Sequence, residues 1–248
     1  SAKSSLNPVN RGYGFFVYWT LPIFIVRYVG EALKQTDYNQ ITLVGRQLSA
    51  LADLGALLFL FVMARRLYGD RVAVLAALLS AAAVLPIQQS HFFTVDTFAN
   101  FFVVAAFYFI MRASREGGWT QFAAAGLAVG MAVASKANVW PVAGFAALAA
   151  VLYWSRDERT RNRFTSTLFK LILAGLLAAL AFRVFQPYAF SGPKFWNISL
   201  DSRWRANMNQ VQAMVNGTLD YPPGHQWTDR APIIFPWVNM VVWGLGIP

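Results

Sequence analysis

Long apolar runs separated by short polar links dominate the sequence. A helix needs about 20 apolar residues to cross the hydrocarbon core of a bilayer. Six runs approach this length, and a last apolar stretch begins a further one. The six are 48–64, 72–87, 92–111, 122–134 (which can be extended to Trp119), 139–154 and 168–185, and the last is 233–248. The pattern predicts an all-α integral membrane protein built as a bundle of about six spans.

The polar segments divide the chain into four parts. These are an extracytoplasmic or interfacial segment 1–45, a transmembrane bundle 46–185, an extracytoplasmic loop 186–232 and the start of a further span 233–248. The apolar run Gly14–Leu33 holds a proline and two charged residues, which favours an interfacial or re-entrant helix over a span. Within the loop, 197–217 has the pattern of a short surface helix. Because the chain begins without Met and ends inside an apolar stretch, we expect it to be a segment of a longer protein.

Charged residues make up 13% of the chain, and the formal net charge is +10. Soluble domains carry about 25% charged residues. Arginines concentrate in the links 65–71, 112–120 and 155–167, which share one side if the spans alternate, whereas the links 88–91 and 135–138 together hold one lysine. The positive-inside rule therefore predicts cytoplasmic basic links and an extracytoplasmic opposite face in the cell membrane. This distribution accounts for the positive charge without a nucleic-acid partner.

Several classes of site are excluded by composition and motif. The chain has no cysteine and two histidines, which excludes disulfides, cysteine-based redox or metal centres and a metal site built from histidines. It contains no P-loop, no dinucleotide-binding glycine motif, no nucleophile elbow and no HExxH motif. A soluble nucleotide or nucleotide-sugar site is therefore not indicated.

Asp96 is the strongest chemical signal, because it lies about one turn inside the outer end of an apolar run. An ionisable side chain in a membrane span is costly, which makes it a functional candidate by default. A carboxylate there can act as a base, accept a hydrogen bond from a sugar hydroxyl or bind a divalent cation. The structural alternative is a hydrogen bond to a neighbouring helix.

A second group of polar residues falls at the same predicted level. Lys136 and Asn138 interrupt two apolar runs in the sequence ASKAN, and a buried ammonium there would attract phosphate. Arg183 and Gln186 end the following span, and the guanidinium offers a planar fork for phosphate oxygens. The alternative for Lys136 and Arg183 is that each extends to the membrane interface.

Four other side chains are polar or aromatic candidates, and two of them admit two interpretations. His91, in the outer turn QQSH, is either a hydrogen-bonded turn residue or a substrate contact. Trp227 is either an interfacial tryptophan or a sugar or peptide contact. His225 is interpreted as a residue that packs within its loop. Asp53 is interpreted as the structural partner of a basic residue on a neighbouring helix.

Five stretches of the chain follow one another in the order found in a known family. They read NPVNRGYGFFVYWTLPIFIVRYVGEAL, YNQITLVGRQLSALADLGALLFLF, GDRVAVLAALLSAAAVLPIQQSHFFTVDTFANFFVVAAFYFIMRAS with AGLAVGMAVASKAN, and RVFQPYAFSGPKFW. Together they resemble the multi-spanning GT-C glycosyltransferases, and most closely the bacterial protein-mannosyltransferase-like group of family 39 type. Their order and spacing carry the resemblance, which covers most of the chain.

The resemblance implies transfer of a hexose from a polyprenyl-phosphate donor in the membrane to an acceptor on the extracytoplasmic side. Asp96 matches the acidic residue at the outer start of the family's fourth span, and Lys136 matches a lysine at the outer end of the next span. It therefore implies that Asp96 is the catalytic candidate, orienting the acceptor hydroxyl or helping to hold a divalent cation. Lys136 and Arg183 would stabilise the departing phosphate, with His91, Asn138, Gln186 and Trp227 as substrate-binding candidates.

The sequence departs from the family in one respect. The family carries an acidic motif, often Asp-Glu, in a first outer loop that would precede Ser1. The motif is expected upstream of this segment if the protein is a glycosyltransferase. The alternative is a non-catalytic subunit that keeps the fold and packs with other membrane proteins in a larger complex. A transporter is a third alternative, but its usual repeated half is not visible in the sequence.

Overall fold

The chain is almost entirely helical in the computed structural model, which describes residues 7–156, 161–192 and 194–246, without the side chains of Arg161 and Trp227. Its α-helices are α1 Thr20–Ala32, α2 Tyr38–Tyr68, α3 Asp70–Ala81, α4 Val84–Ser90, α5 Val95–Glu116, α6 Trp119–Ser135, α7 Val142–Ser155, α8 Arg161–Phe185, α9 Ser202–Val215 and α10 Ile234–Asn239. Turns of 3₁₀ helix span Pro8–Arg11, Ala137–Val139, Pro187–Ala189 and Pro222–Trp227, and Met240–Leu245 forms a π-helix. Within these described residues no strand forms, and the predicted all-α membrane fold is confirmed.

Four helical segments are long and apolar enough to cross a membrane, namely α2, α5, α8 and α7 together with the 3₁₀ turn before it. A fifth span results if α3 and α4 are counted together. The sequence predicted about six spans, and the difference lies partly in α6, which has only 17 residues. The predicted surface helix of the loop is confirmed as α9.

The run 72–87, predicted as one span, does not form one continuous helix. The structure breaks this run into α3 and α4, whose axes differ by 61°. Ala83, between them, adopts an extended backbone conformation. Pro86 explains the position of the break, because a proline lacks the N–H that would bond to the carbonyl of residue 82 and its ring clashes with that carbonyl.

The central helix of the bundle is α6, which packs against both α5 and α8. Phe122 and Ala132 on α6 are fully buried. Gly126 and Gly130 face α8, where an added Cβ would lie 2.1 Å from the carbonyl oxygen of Ala174 or 2.4 Å from that of Ala178. Small residues four positions apart allow the backbones of membrane helices to approach closely. The two glycines therefore set the distance between α6 and α8.

One end of the bundle, here called the Glu116 end, gathers basic and aromatic side chains. Glu116 closes α5 and accepts hydrogen bonds from Arg66 of α2 at 3.2 Å and from Gln121 of α6 at 2.7 Å. Lys170 of α8 lies 5.7 Å from the centre of the Trp119 ring. The ends of α2, α5 and α6 and the first turns of α8 thus meet at one level.

The opposite end, here called the Asp96 end, contains the first turn of α5. Asp96 lies 20 residues before Glu116, about 30 Å away along the helix axis. The basic links 65–71 and 112–120 lie at the Glu116 end, and Arg163 there donates to the carbonyl of Tyr153 at 2.8 Å. The residues 157–160 of the third basic link lie outside the described part of the chain. The basic links and Asp96 therefore occupy opposite ends of the bundle.

Candidate functional site

Asp96 and Lys136 form an ion pair that joins α5 to α6. Asp96 is in the first turn of α5, and Lys136 is the residue that ends α6, so the two antiparallel helices bring them to one level. The Lys136 Nζ donates a hydrogen bond to Asp96 Oδ1. An anion at a helix N-terminus and a cation at a helix C-terminus are each favoured by the helix dipole.

The pair remains accessible to solvent. The Lys136 side chain is 40% exposed and the Asp96 side chain 46% exposed. Ion pairs at this exposure contribute about 0–1 kcal/mol to stability, because water solvates the separated charges well.

Asp96 also lines a cleft of about 280 Å³ between α2, α4 and α5. The other lining residues are Asp53, Leu85, Pro86, Gln89, Thr97 and Asn100. Gln89 is fixed in part by the Thr94 hydroxyl, which donates to its Oε1 at 3.1 Å. The cleft thus combines two carboxylates and two side-chain amides with an apolar wall, next to the Asp96–Lys136 ion pair.

The prediction that Asp53 pairs with a basic residue is wrong for the described part of the chain, where no basic side chain lies within ion-pair distance of its carboxylate. Asp53 instead shares the cleft with Asp96. The reason is the bend between α3 and α4, which places α4, a helix without charged residues, beside this part of α2.

The connection between α4 and α5 at the rim of the cleft is held by Arg46, a residue that sequence reasoning did not select. The Arg46 Nε donates to the carbonyl oxygen of His91 at 2.7 Å. The His91 Nδ1 lies 2.6 Å from the carbonyl oxygen of Ile87, which requires a proton on Nδ1. His91 is thus a hydrogen-bonded turn residue in this structure, and its contact with substrate stays a prediction. The available signal for Arg46 was an arginine two residues before the predicted span 48–64.

Gln186 is buried at the end of α8, where it holds the start of α1. Its Oε1 accepts from the Thr20 backbone N–H at 2.8 Å and lies 2.6 Å from the Thr20 hydroxyl. Gln186 is 4% exposed and Thr20 is 1% exposed. In this structure Gln186 therefore joins two helices, and its predicted contact with substrate is not tested.

Arg183 is engaged by the loop that follows α8. Its Nε donates to the carbonyl oxygen of Phe195 at 2.9 Å, and its Nη2 donates to that of Lys194 at 3.1 Å. The guanidinium also lies 4.7 Å from the centre of the Phe190 ring. The structure brings Asp96 and Lys136 together but records no hydrogen bond or ion pair between Arg183 and either of them.

The remaining candidates lie on exposed turns. Asn138 is exposed in the 3₁₀ turn directly after Lys136. The His225 Nε2 lies 2.6 Å from Asp220 Oδ1, which agrees with a role in packing the loop. Trp227 ends the turn Pro222–Trp227, and its side chain lies outside the described part of the structure.

The loop above this end of the bundle is organised by Asp201, which caps α9. Its Oδ1 accepts from the backbone N–H groups of Arg203 at 2.9 Å and Trp204 at 3.3 Å. Burial opposes ionisation of Asp201, but hydrogen bonds from the Arg203 side chain and from the two backbone N–H groups outweigh it and hold its pKa below the ordinary value. The capped helix carries the Trp204 ring against Trp19, with 5.9 Å between ring centres.

A metal ion at Asp96 would meet competition from Lys136, which already contacts Oδ1. In the described residues no three His, Asp or Glu side chains group together in a way that could hold a metal ion. Asp96 alone would thus need further ligands from the amides of the cleft or from a bound substrate. The divalent cation at Asp96 stays a prediction.

Comparison with known proteins bears on the same segment. The family model described as dolichyl-phosphate-mannose-protein mannosyltransferase matches residues 39–187, more than half of the chain. The matched segment includes the ion pair and the whole lining of the cleft. No curated protein and no solved structure matches the chain. The chain belongs to the dolichyl-phosphate-mannose-protein mannosyltransferase family.

Proposed function

We propose that this chain transfers a sugar from a polyprenyl-phosphate donor to an acceptor hydroxyl at the Asp96 end of the bundle. The observation that carries the proposal is the accessible Asp96–Lys136 pair beside a polar cleft, inside the segment that matches the family. A donor carried by the bilayer would reach this end of the helices without entering a soluble nucleotide site. Family membership supports glycosyl transfer, and the ion pair beside the cleft supports a site at the Asp96 end.

The Asp96 end is assigned to the extracytoplasmic side. The opposite end carries Arg65, Arg66, Arg112 and Arg115, and the positive-inside rule favours the cytoplasm for such a concentration of arginines. Since Asp96 and Glu116 lie at opposite ends of α5, the two carboxylates would face opposite compartments. Transfer would therefore occur outside the cytoplasm.

Lys136 is proposed to bind the donor phosphate. Its ammonium is neutralised by Asp96 in the free protein, and the pair is exposed enough to separate at little cost. The phosphate monoester that leaves the reaction carries more negative charge than the phosphodiester of the donor. A positioned cation stabilises the larger negative charge of the transition state more than the smaller charge of the bound donor. Lys136 would therefore accelerate departure of the lipid phosphate.

Asp96 is proposed to orient the acceptor. In the reaction the bond between the sugar C1 and the phosphate oxygen breaks, and a bond forms between C1 and the acceptor oxygen. The acceptor hydroxyl passes its proton to a carboxylate base, expected in the acidic motif upstream of this segment, and polyprenyl phosphate leaves with the bonding electron pair. A carboxylate that accepts a hydrogen bond from this hydroxyl would position it and favour loss of the proton.

The test is an assay of the purified full-length protein with polyprenyl-phosphate mannose, each variant normalised to folded protein. Asp96→Asn removes the charge and keeps the size, and should lower turnover about 100-fold or more. Lys136→Met keeps the apolar stem and should raise the donor KM. Asp70→Asn is the matched control, because Asp70 pairs with Arg65 at the Glu116 end and is 73% exposed.

Near-normal turnover in Asp96→Asn would contradict the catalytic role. Absence of transfer by the wild type with several donors and acceptors would contradict the proposed function itself. That second outcome would favour the non-catalytic subunit, which keeps the fold within a larger membrane complex. Co-purification of stoichiometric membrane partners with an inactive wild type would then support the subunit.

A further inference from the structure

Asp53 is an ionisable residue midway along α2 that the proposed reaction does not use. In the described part of the chain its carboxylate makes no ion pair, in contrast to Asp96. A charged side chain within a membrane span is costly and usually faces a cavity or a functional partner. The described residues do not show the expected ion pair between Asp53 and a neighbouring helix. The cleft that Asp53 lines is the remaining explanation for a carboxylate at this position.

We propose that Asp53 is a specificity-determining residue that accepts hydrogen bonds from the hydroxyl groups of the transferred sugar. This inference rests on the proposed function and assigns the cleft between α2, α4 and α5 to the sugar. Asp53 and Asp96 line this cleft together, and the Lys136 ammonium contacts Asp96. A phosphate bound by Lys136 would therefore lie next to the space in which its own sugar is held.

The chemistry of the lining suits a polyhydroxyl ring. Each sugar hydroxyl donates one hydrogen bond and accepts others, so it needs both kinds of partner. Asp53 supplies acceptors, and the side-chain amides of Gln89 and Asn100 supply donors. The Gln89 oxygen already accepts from Thr94, so the amide nitrogen remains to donate. Leu85 and Pro86 add an apolar wall for the C–H face of a sugar ring.

The size of the cleft supports a single sugar. Its volume, about 280 Å³, lies near the lower end of small-molecule pockets, which begin at about 300 Å³. A polyprenyl chain is far longer than this space and would remain in the bilayer. The cleft would thus select the head of the donor, while the lipid contributes little to discrimination between sugars.

An uncompensated carboxylate is well suited to select hydroxyl groups. Hydrogen bonds to a charged acceptor are stronger than neutral ones. A site built to hydrogen-bond a substrate hydroxyl rejects the analogue that lacks it, because its own polar group is then left unpaired. Asp96 is less suited to this task, since Lys136 already satisfies one of its oxygens.

The first experiment measures binding and does not require catalysis. Full-length wild type, Asp53→Asn and the control Asp70→Asn are titrated with polyprenyl-phosphate mannose and with the same polyprenyl phosphate without sugar. Compared with the wild type and the control, Asp53→Asn should bind the sugar-bearing lipid about 10- to 100-fold more weakly, because it loses hydrogen bonds to a charged acceptor. It should bind bare polyprenyl phosphate as the wild type does. Normal binding of the bare lipid also shows that the variant is folded.

The second experiment measures transfer with a series of donors that each lack one ring hydroxyl. In the wild type, removal of the hydroxyl that contacts Asp53 should lower kcat/KM strongly. In Asp53→Asn the complete donor and that deoxy donor should react at similar rates. Equal discrimination by wild type and Asp53→Asn would overturn the assignment of Asp53 and leave the proposed function intact.

Two further results would also overturn the inference. If Asp53→Asn changed the response of the protein to Mg²⁺ or Mn²⁺ and left sugar discrimination unchanged, Asp53 would be a cation ligand. If the wild type neither transferred sugar nor bound the sugar-bearing lipid, the proposed function would fail, and the role of Asp53 would fail with it. The binding experiment separates this result from the failure of Asp53 alone.

Discussion

Gly126 packs so closely on Ala174 that a Cβ at residue 126 would lie 2.1 Å from the Ala174 carbonyl oxygen. The obstacle is backbone, so it cannot move aside as the end of a flexible side chain could. Four residues later, Gly130 meets Ala178 in the same way. The close contact between α6 and α8 therefore depends on glycine at positions 126 and 130, where a hydrogen atom takes the place of a side chain.

Gly126→Ala should destabilise the bundle. The added methyl group forces α6 and α8 apart, and overpacking of this kind costs about 1–3 kcal/mol in the free energy of unfolding. Unfolding in detergent micelles by denaturant would measure the loss. Gly175→Ala on α8 is the matched control, since an added Cβ there meets no atom within 4 Å. Equal stability of the Gly126→Ala variant and the wild type would show that the helices do not pack this closely.

The orientation of the bundle predicts the labelling of single cysteines. The chain has no native cysteine, so each introduced thiol is reported alone. Tyr68→Cys, at the Glu116 end, should react only from the cytoplasm, and Trp140→Cys, after Lys136, should react with an impermeant reagent added outside intact cells. Both native side chains are well exposed, at 71% and 67%. Labelling of Tyr68→Cys from outside would reverse the assigned orientation.

The cap of α9 should make the loop sensitive to acid. Because the pKa of Asp201 is held below its ordinary value of 3.8, the folded loop binds this proton less tightly than the unfolded loop does. The stabilisation is fully present above the unfolded pKa, about 4, and is lost as pH falls through the lower folded pKa. Hydrogen-exchange protection of Arg203 and Trp204, corrected for intrinsic rates, should decline over this window.

Asp201→Asn provides the control for that experiment. Asparagine also caps helices, so α9 should remain folded at neutral pH. It has no carboxyl group to titrate, so this part of the acid sensitivity should disappear. An unchanged acid response in Asp201→Asn would assign the sensitivity to another group.

Gln186→Leu should weaken the attachment of α1 without altering donor binding. The substitution leaves the buried Thr20 N–H without its acceptor, which costs about 1–3 kcal/mol. A double-mutant cycle with Thr20→Val should give a coupling energy of about 0.5–3 kcal/mol. The same variants should bind polyprenyl-phosphate mannose as the wild type does. A change in donor affinity without coupling to Thr20 would support the substrate contact predicted from the sequence.

The proximity of Asp96 and Lys136 followed from the order of the spans. Asp96 lies near the start of one apolar run, and Lys136 follows the end of the next. Two consecutive antiparallel helices bring the start of the first and the end of the second to one level. Hydropathy is sufficient for this kind of inference, because it depends on where the helices begin and end. It does not depend on how the helices rotate about their axes.

The role of Asp53 depended on features that hydropathy does not encode. Its surroundings are set by the direction of α4, which changes at the break between Ala81 and Val84. Pro86 was visible in the sequence but did not reveal the size of the bend. The partners of Arg183 and Gln186 could not be predicted from hydropathy either. Arg183 is bound by the loop after α8, and Gln186 by the first turn of α1.

The break between α3 and α4 has a consequence for hydration. Backbone groups that leave a helix at membrane depth cannot be satisfied by acyl chains, and they persist only where protein or water covers them. Ala83 itself is buried, at 5% exposed, and α4 borders the cleft. Water is the solvent that fits a recess lined by carboxylates and amides. We therefore expect a thinner bilayer on this flank, so that the proposed sugar head group would reach Asp53 and Asp96 from the aqueous phase without crossing hydrocarbon.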